Sequence, residues 1–130
     1  MGSEGASGTD YVLVEIDDVL DEIGPLPQDG QDAIDEARAG RALTFRGPHG
    51  VFVLTLQPGD NPAQLEAFVL LAVASRVGAF ENAEPAVLAI ARDLTAATVA
   101  FRSVRRGWAR KLGPAWRPRG QRGFWRSVSA

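Results

Sequence analysis

The stretch from residue 84 to residue 128 decides the fold, and it reads EPAVLAIARDLTAATVAFRSVRRGWARKLGPAWRPRGQRGFWRSV. Its beginning predicts a helix that opens at Glu84-Pro85, because apolar residues recur every three or four positions and proline fits a first helical turn. Residues 97–104 are β-branched and aromatic, which favours a strand. Residues 105–113 predict a short helix closed by a glycine, and the two strands that follow flank a turn at residues 120–123. The stretch therefore predicts helix, strand, helix and hairpin.

The preceding part of the chain supplies more strands and two helices. It predicts a strand at 11–16, a short helix capped by Asp17-Asp18, a helix at 29–39, and a hairpin of strands 42–46 and 51–56. The segment 65–75 is ambiguous. Its length and alanine content suit a buried helix, whereas its apolar run suits a central strand, and periodicity alone does not separate them. A strand fits better because it extends the meander of the two strands before it.

Length and composition predict one domain, with a flexible terminus at 1–10 and a folded part at 11–130. The chain has 130 residues, 45% of them hydrophobic, which suffices for a core. It has no cysteine and one histidine, so disulfides, thiolate metal sites and cysteine nucleophiles are excluded, and no metal-ligand spacing is present. No signal peptide and no apolar segment of membrane-spanning length is recognised. These features predict no membrane partner and a cytoplasmic or virion location.

Charge is segregated along the sequence. Residues 1–37 carry 11 acidic and no basic residues, whereas residues 94–130 carry nine basic and no acidic residues. One interpretation is that the two ends fold together and neutralise each other. The other is that the basic end forms a surface for a polyanion, either a nucleic acid or a nucleotide cofactor such as CoA.

The order of the predicted elements resembles the GNAT superfamily of N-acetyltransferases over residues 11–128. Residues 90–94 with the strand at 97–101 look like that family's helix and following strand, and Leu112-Gly113 with Trp116-Arg117-Pro118 looks like its common ending. The resemblance implies an α/β (α+β) fold with a GNAT-like mixed, mostly antiparallel sheet flanked by helices, in the order β-α-α-β-β-β-α-β-α-β-β. A weaker similarity is to small GNAT-type proteins encoded by phages.

In that family acetyl-CoA lies between two splayed strands, and a Gly-rich loop at a helix N-terminus holds the pyrophosphate. The matching loop here is 76–82, although its spacing differs and its second glycine is missing. Glu81 and Glu84 are expected to place repelling negative charge beside the phosphates. Carried over onto this sequence, the cofactor-binding residues are Val73, Arg76, Val77, Gly78, Ala79 and Phe80. The backbone near Val73 is expected to hold the thioester carbonyl oxygen.

The resemblance also implies candidates for the catalytic groups. Glu66, near the start of the fourth strand, is the candidate base; the alternative is a solvated carboxylate at a strand end. The tyrosine that many members use as an acid has no counterpart, since its position falls at about Ala109. Ser103 is a possible substitute, with a surface hydroxyl as the alternative.

Three functions remain open on the sequence. The first is an acetyl-CoA-dependent N-acetyltransferase or a degenerate relative of one. The second is a non-catalytic phage virion or accessory protein that uses the scaffold for protein interaction. The third is a nucleic-acid binder, because tryptophans interleave with arginines near the C-terminus. The candidate contacts of that binder are Arg102, Arg105, Arg106 and Arg110. The competing interpretation of that stretch is an amphipathic hairpin with its tryptophans inward and its arginines outward.

Overall fold

The computed structural model describes residues 11–26, 28–48, 50–74, 80–102, 114–120 and 122–128. The strands are β1 Val12–Val14, β2 Leu43–Gly47, β3 Gly50–Pro58, β4 Leu65–Ala74, β5 Thr98–Arg102, β6 Arg117–Arg119 and β7 Gly123–Ser127. A 3-10 turn at Ile16–Val19 leads into α1 Leu20–Ile23, and the other helices of the described residues are α2 Gln28–Arg38 and α3 Phe80–Asp93. The predicted terminus at 1–10 and the predicted helix at 105–113 lie outside the described residues.

The described strands form one open sheet in the order β1-β2-β3-β4-β5-β7-β6. β4 and β5 pair in parallel, and every other neighbouring pair is antiparallel. The protein is therefore an α+β protein with a mixed, mostly antiparallel sheet, as the sequence predicted. The preference for a strand at 65–75 is confirmed, because β4 occupies that segment and pairs along its whole length with β3.

Helices cover both faces of the sheet. Val51 and Val53 of β3 pack with the 3-10 turn, α1 and α2, whereas Phe52 and Leu54 pack with α3. Successive side chains of a strand point to opposite faces, so α3 lies on the face opposite α1 and α2. β3 is thus buried from both sides, and fully burying each such apolar side chain contributes about 1.5–3 kcal/mol.

α3 begins earlier than its sequence predicts. The helix starts at Phe80 rather than at Glu84-Pro85, and Pro85 lies inside it. Proline lacks the N–H that would bond to residue 81, yet it remains within the second helical turn, close to an end where N–H groups are unpaired in any case. The proline therefore marks the start of the helix only to within about one turn.

The turn before α1 also differs from the prediction. The residue preceding it is Glu15, and the Asp18 backbone N–H donates to the Glu15 carbonyl, while no side chain caps the turn. Asp17 instead pairs with Arg38 of α2, with 2.9 Å between carboxylate oxygen and guanidinium nitrogen. The capping role predicted for Asp17-Asp18 is wrong because an arginine on the neighbouring helix competes for the carboxylate.

Candidate functional site

β4 pairs with β5 over only part of its length, and the described range that holds β5 ends shortly after that pairing, at Arg102. The parallel register covers residues 66–69 of β4 and 98–101 of β5. β4 continues to Ala74 and stays paired with β3 on its other side. Within the described part of the chain, residues 70–74 of β4 therefore have a partner strand on one side only.

A β-bulge lies at the same point. Val53 of β3 lies opposite Leu71 of β4, whereas Leu54 lies opposite Val69, so Leu70 is an extra residue in the ladder. A bulge bends its strand and increases the local twist. In a strand, the N–H and C=O groups of alternate residues point to alternate edges. Some backbone groups of residues 70–74 are therefore directed away from β3, toward the side on which β5 pairs with residues 66–69.

Two of the residues predicted to bind a cofactor, Val73 and Phe80, lie in the described part of the chain. Val73 lies in the segment after the bulge, opposite Val51 of β3. Phe80 is the first residue of α3. The residues between them, which include Arg76, Val77, Gly78 and Ala79, lie outside the described part of the chain. The open edge of β4 and the N-terminus of α3 are thus separated by a short segment, and a helix N-terminus favours anions.

Glu66 lies at the paired end of β4, four residues before the bulge, and is buried. Its side chain is 1% exposed. Its carboxylate accepts hydrogen bonds from Thr98 Oγ1 at 3.1 Å, Gln57 Nε2 at 2.9 Å and Arg119 Nη1 at 2.8 Å. The alternative of a solvated strand-end carboxylate is wrong, because these three donors replace the water that burial removes.

The three donors also set the protonation state of Glu66. Burial raises the pKa of its carboxyl, but the hydrogen bonds from Arg119, Gln57 and Thr98, with the charge of Arg119, outweigh burial and hold the pKa below its usual range. A carboxylate of lowered pKa with its oxygens engaged is a weak proton acceptor. The geometry gives Glu66 a structural role, and its role as a base stays a prediction.

Arg119 is the partner that sequence reasoning missed. It extends from β6 with its Cζ 5.5 Å from the centre of the Trp125 ring, and its Nη2 lies 3.3 Å from Asp60 Oδ2. The Arg119 side chain is 32% exposed. Arg119, Asp60, Thr98 and Trp125 line a shallow depression of about 170 Å³. The available signal was the β3–β4 hairpin, which sets Gln57 opposite Glu66; nothing in the sequence indicated the arginine.

Glu84 joins α3 to the C-terminal hairpin. Its Oε2 accepts from Arg126 Nη1 at 2.6 Å and from Trp116 Nε1 at 2.8 Å. The charge of Arg126 opposes that of Glu84, and the expectation that Glu84 would repel a phosphate stays a prediction. Glu81 is the other acid in that expectation. Its side chain is outside the part of the structure that is described.

The C-terminal hairpin does not direct all its arginines outward. The Arg119 and Arg126 side chains are 32% and 12% exposed, and both are bound to carboxylates. That part of the amphipathic interpretation is wrong, because buried and half-buried acids on β4 and α3 attract these two arginines inward. Arg102 is exposed at the end of β5. Arg105, Arg106 and Arg110 lie outside the described residues, so nucleic-acid binding stays a prediction.

Part of the charge of each end of the chain pairs with residues of its middle. Arg38, Arg41 and Arg46 pair with acids of the N-terminal third, which are Asp17, Glu36 and Glu22. Arg119 and Arg126 pair with Asp60, Glu66 and Glu84. Each ion pair among the described residues thus includes a residue from the middle of the chain, and none joins one end to the other. The two ends are far apart in the sheet, since β1 and β6 lie at its opposite edges.

The fold places the chain in a broad class: an α+β protein with a seven-strand, mixed, mostly antiparallel open sheet among the described residues. Comparison of the chain with protein-family models, with curated proteins and with solved structures found no match. No helix in the described ranges is long and apolar enough to cross a membrane.

Proposed function

We propose that the protein is a GNAT-type N-acetyltransferase that binds acetyl-CoA in an opening beside residues 70–74 of β4, on the side of β5. The observation that carries the proposal is the bulge at Leu70, directly after the last residue of β4 that pairs with β5. The order of the seven strands, with a single parallel pair among them, supports it because the resemblance implies a mixed, mostly antiparallel sheet with two splayed strands.

The backbone beside the opening suits the chemistry of CoA. The pantetheine arm of CoA carries two amides, which bond readily to unpaired strand groups. Residues 70–74 present such groups toward the opening. The backbone near Val73 is the candidate donor to the thioester carbonyl oxygen, where negative charge develops during attack by an amine.

The start of α3 suits the phosphates. Its first N–H groups have no partner within the helix, and the helix dipole adds a partial positive charge. The charge of Arg126 opposes that of Glu84. The loop residues Arg76, Val77, Gly78, Ala79 and Phe80 remain the predicted pyrophosphate contacts.

The chemistry is a direct acyl transfer. Acetyl-CoA supplies an activated thioester; a neutral amine forms the new C–N bond to its carbonyl carbon, the C–S bond breaks, and the amine proton balances the departing thiolate. Glu66 lies roughly 13 Å along β4 from Leu70, at about 3.3 Å per residue, and its pKa is lowered. The proposal therefore assigns proton removal to solvent and not to Glu66.

The test is calorimetric titration with CoA and with acetyl-CoA. We expect a Kd on the order of micromolar for the wild type, and a loss of about tenfold or more in Ala72→Trp. Ala72 is exposed and lies in the part of β4 that has no β5 partner among the described residues, so a large side chain there is expected to obstruct the proposed opening without entering a core. Arg76→Ala is expected to weaken binding as well.

Val12→Trp is the matched control, because it places the same side chain at an exposed strand position at the far edge of the sheet. It should bind CoA as the wild type does. Absence of heat at millimolar CoA, or equal binding by the two tryptophan variants, would contradict the proposal.

A second candidate is a non-catalytic relative that keeps the opening but performs no transfer. The engaged carboxylate of Glu66 favours it, since the described residues then supply no evident base. Turnover distinguishes the two: the chain has no cysteine, so CoA released from acetyl-CoA can be followed with a thiol reagent without background from the protein. CoA binding without amine-dependent thiol release would favour this second candidate.

A further inference from the structure

The two edges of the sheet are protected very differently. β6 forms one edge and reads Arg117-Pro118-Arg119. Proline has no N–H to offer to an added strand, and charged residues are a common way to prevent edge pairing. β1 forms the other edge, reads Val-Leu-Val, and has neither feature, so its short length is its only protection of this kind. Among the described residues, no strand pairs with the outer edge of β1.

Both faces of β1 are apolar and accessible. Val12 is 58% exposed and Leu13 is 61% exposed. Leu13 lies opposite Phe45, which packs on the α3 side of the sheet, whereas Val12 lies opposite Arg46. Apolar side chains this exposed on an unguarded edge are uncommon, since natural edge strands are normally blocked by charge, proline or a covering segment.

Exposed acids without an ion-pair partner among the described residues follow β1 in the chain. Arg46, the neighbour of Val12, pairs with Glu22 of α1 at 2.9 Å, which places the acidic turn next to β1. Glu15, Asp18 and Asp21 in the same region are exposed, and none has an ion-pair or side-chain hydrogen-bond partner among the described residues. The surface near β1 thus combines an apolar face at Leu13 with an anionic face at α1.

We propose that the β1 edge binds an extended, basic segment of a partner protein by strand addition. The backbone of that segment pairs with β1, its alternate apolar side chains lie beside Leu13, and the intervening lysines or arginines face the acids around α1. A second copy paired through β1 would set these acids against each other, and a nucleic acid would meet the same negative charge. Charge complementarity therefore selects a basic peptide.

The test uses a fluorescent peptide of about seven residues, a typical strand length, in which valine and lysine alternate. Fluorescence anisotropy is expected to show saturable binding to the wild type. Leu13→Lys should weaken binding by about tenfold or more, since it places a positive charge at the edge. Leu65→Lys is the matched control, because Leu65 is also an exposed leucine in a strand, and it should bind normally.

A second peptide, N-methylated at every residue, separates strand addition from charge attraction. It keeps the lysines but has no backbone N–H, so we expect its affinity to fall by about tenfold or more. Equal binding of the two peptides, or no saturable binding of the first, would overturn the proposal. So would a dimer of the wild type that Leu13→Lys dissociates, because β1 would then pair with a second copy.

Discussion

At the scale of single residues, Glu66 holds a negative charge inside the sheet because three donors surround it. Two of them, Gln57 and Thr98, come from the neighbouring strands, and the third is the guanidinium of Arg119 from β6. A buried ion pair adds little stability compared with an apolar pair, but removing one partner leaves an uncompensated charge. The integrity of this cluster therefore depends on every member.

Glu66→Gln should destabilise the protein by about 2 kcal/mol, less than a fully buried pair because Arg119 is partly exposed. The amide NH2 group of the glutamine would face other hydrogen-bond donors, and Arg119 would lose its buried counter-charge. Urea unfolding at neutral pH measures the loss. Glu22→Gln, which breaks an exposed pair with Arg46, is the control and should cost less than about 1 kcal/mol.

Acid should act through the same carboxyl. Because the folded-state pKa of Glu66 is lowered, its contribution to stability is present above the unfolded-state pKa and is lost as the pH falls through the folded-state pKa. The wild type should therefore lose more stability than Glu66→Gln when the pH falls below about 4. Parallel pH profiles for the two proteins would show that Glu66 does not contribute to acid unfolding.

At the scale of elements, the two longer helices end in different ways. α2 is followed by Gly40 at φ 80°, which is a conformation that glycine adopts without strain. α3 is followed by Thr95 at φ 62°, a rare conformation for a β-branched residue. The Thr95 N–H still donates to the Arg92 carbonyl, and the Ala96 N–H to that of Ala91, so the hydrogen bonds of the helix end are made despite the strain.

Thr95→Gly should raise the stability of the protein by about 1 kcal/mol, because it removes the left-handed penalty of a side chain at that position. Gly40→Ala should lower stability by a similar amount for the converse reason. Thermal unfolding of the two variants measures the effects. An unchanged or lower melting temperature for Thr95→Gly would show that its hydroxyl, which donates to the Leu94 carbonyl, offsets the strain.

At the scale of the whole molecule, stability should decline from the centre of the sheet to its edges. Val53 and Leu54 of β3 are 0% exposed, and their strand is paired on both sides and covered on both faces. β1 and β6 are three-residue edge strands. Native-state hydrogen exchange should therefore give β3 amides protection near that of global unfolding, and β1 amides protection lower by about 3 kcal/mol. Equal protection would mean that the edges do not open separately.

The amino-acid sequence by itself determined the kinds and order of most described elements. Alternating and periodic apolar residues, together with glycine and proline at the breaks, are local signals, so the β2–β3 hairpin, α2 and the C-terminal hairpin could be predicted within a few residues. Even β4 was predicted from its apolar run and its neighbours. Each predicted hairpin fixes one antiparallel pair, whereas the mixed character of the sheet was expected only from the resemblance to the GNAT superfamily.

Only the tertiary structure decided which distant residues meet. The bulge at Leu70 depends on the register between β3 and β4, which is not encoded in a local pattern. Arg119 reaches Glu66 across more than fifty positions of sequence, and Arg126 of β7 reaches Glu84 of α3. The sequence shows how many charged side chains a segment carries. Which acid pairs with which base depends on the tertiary structure, because electrostatic attraction acts through space and not along the chain.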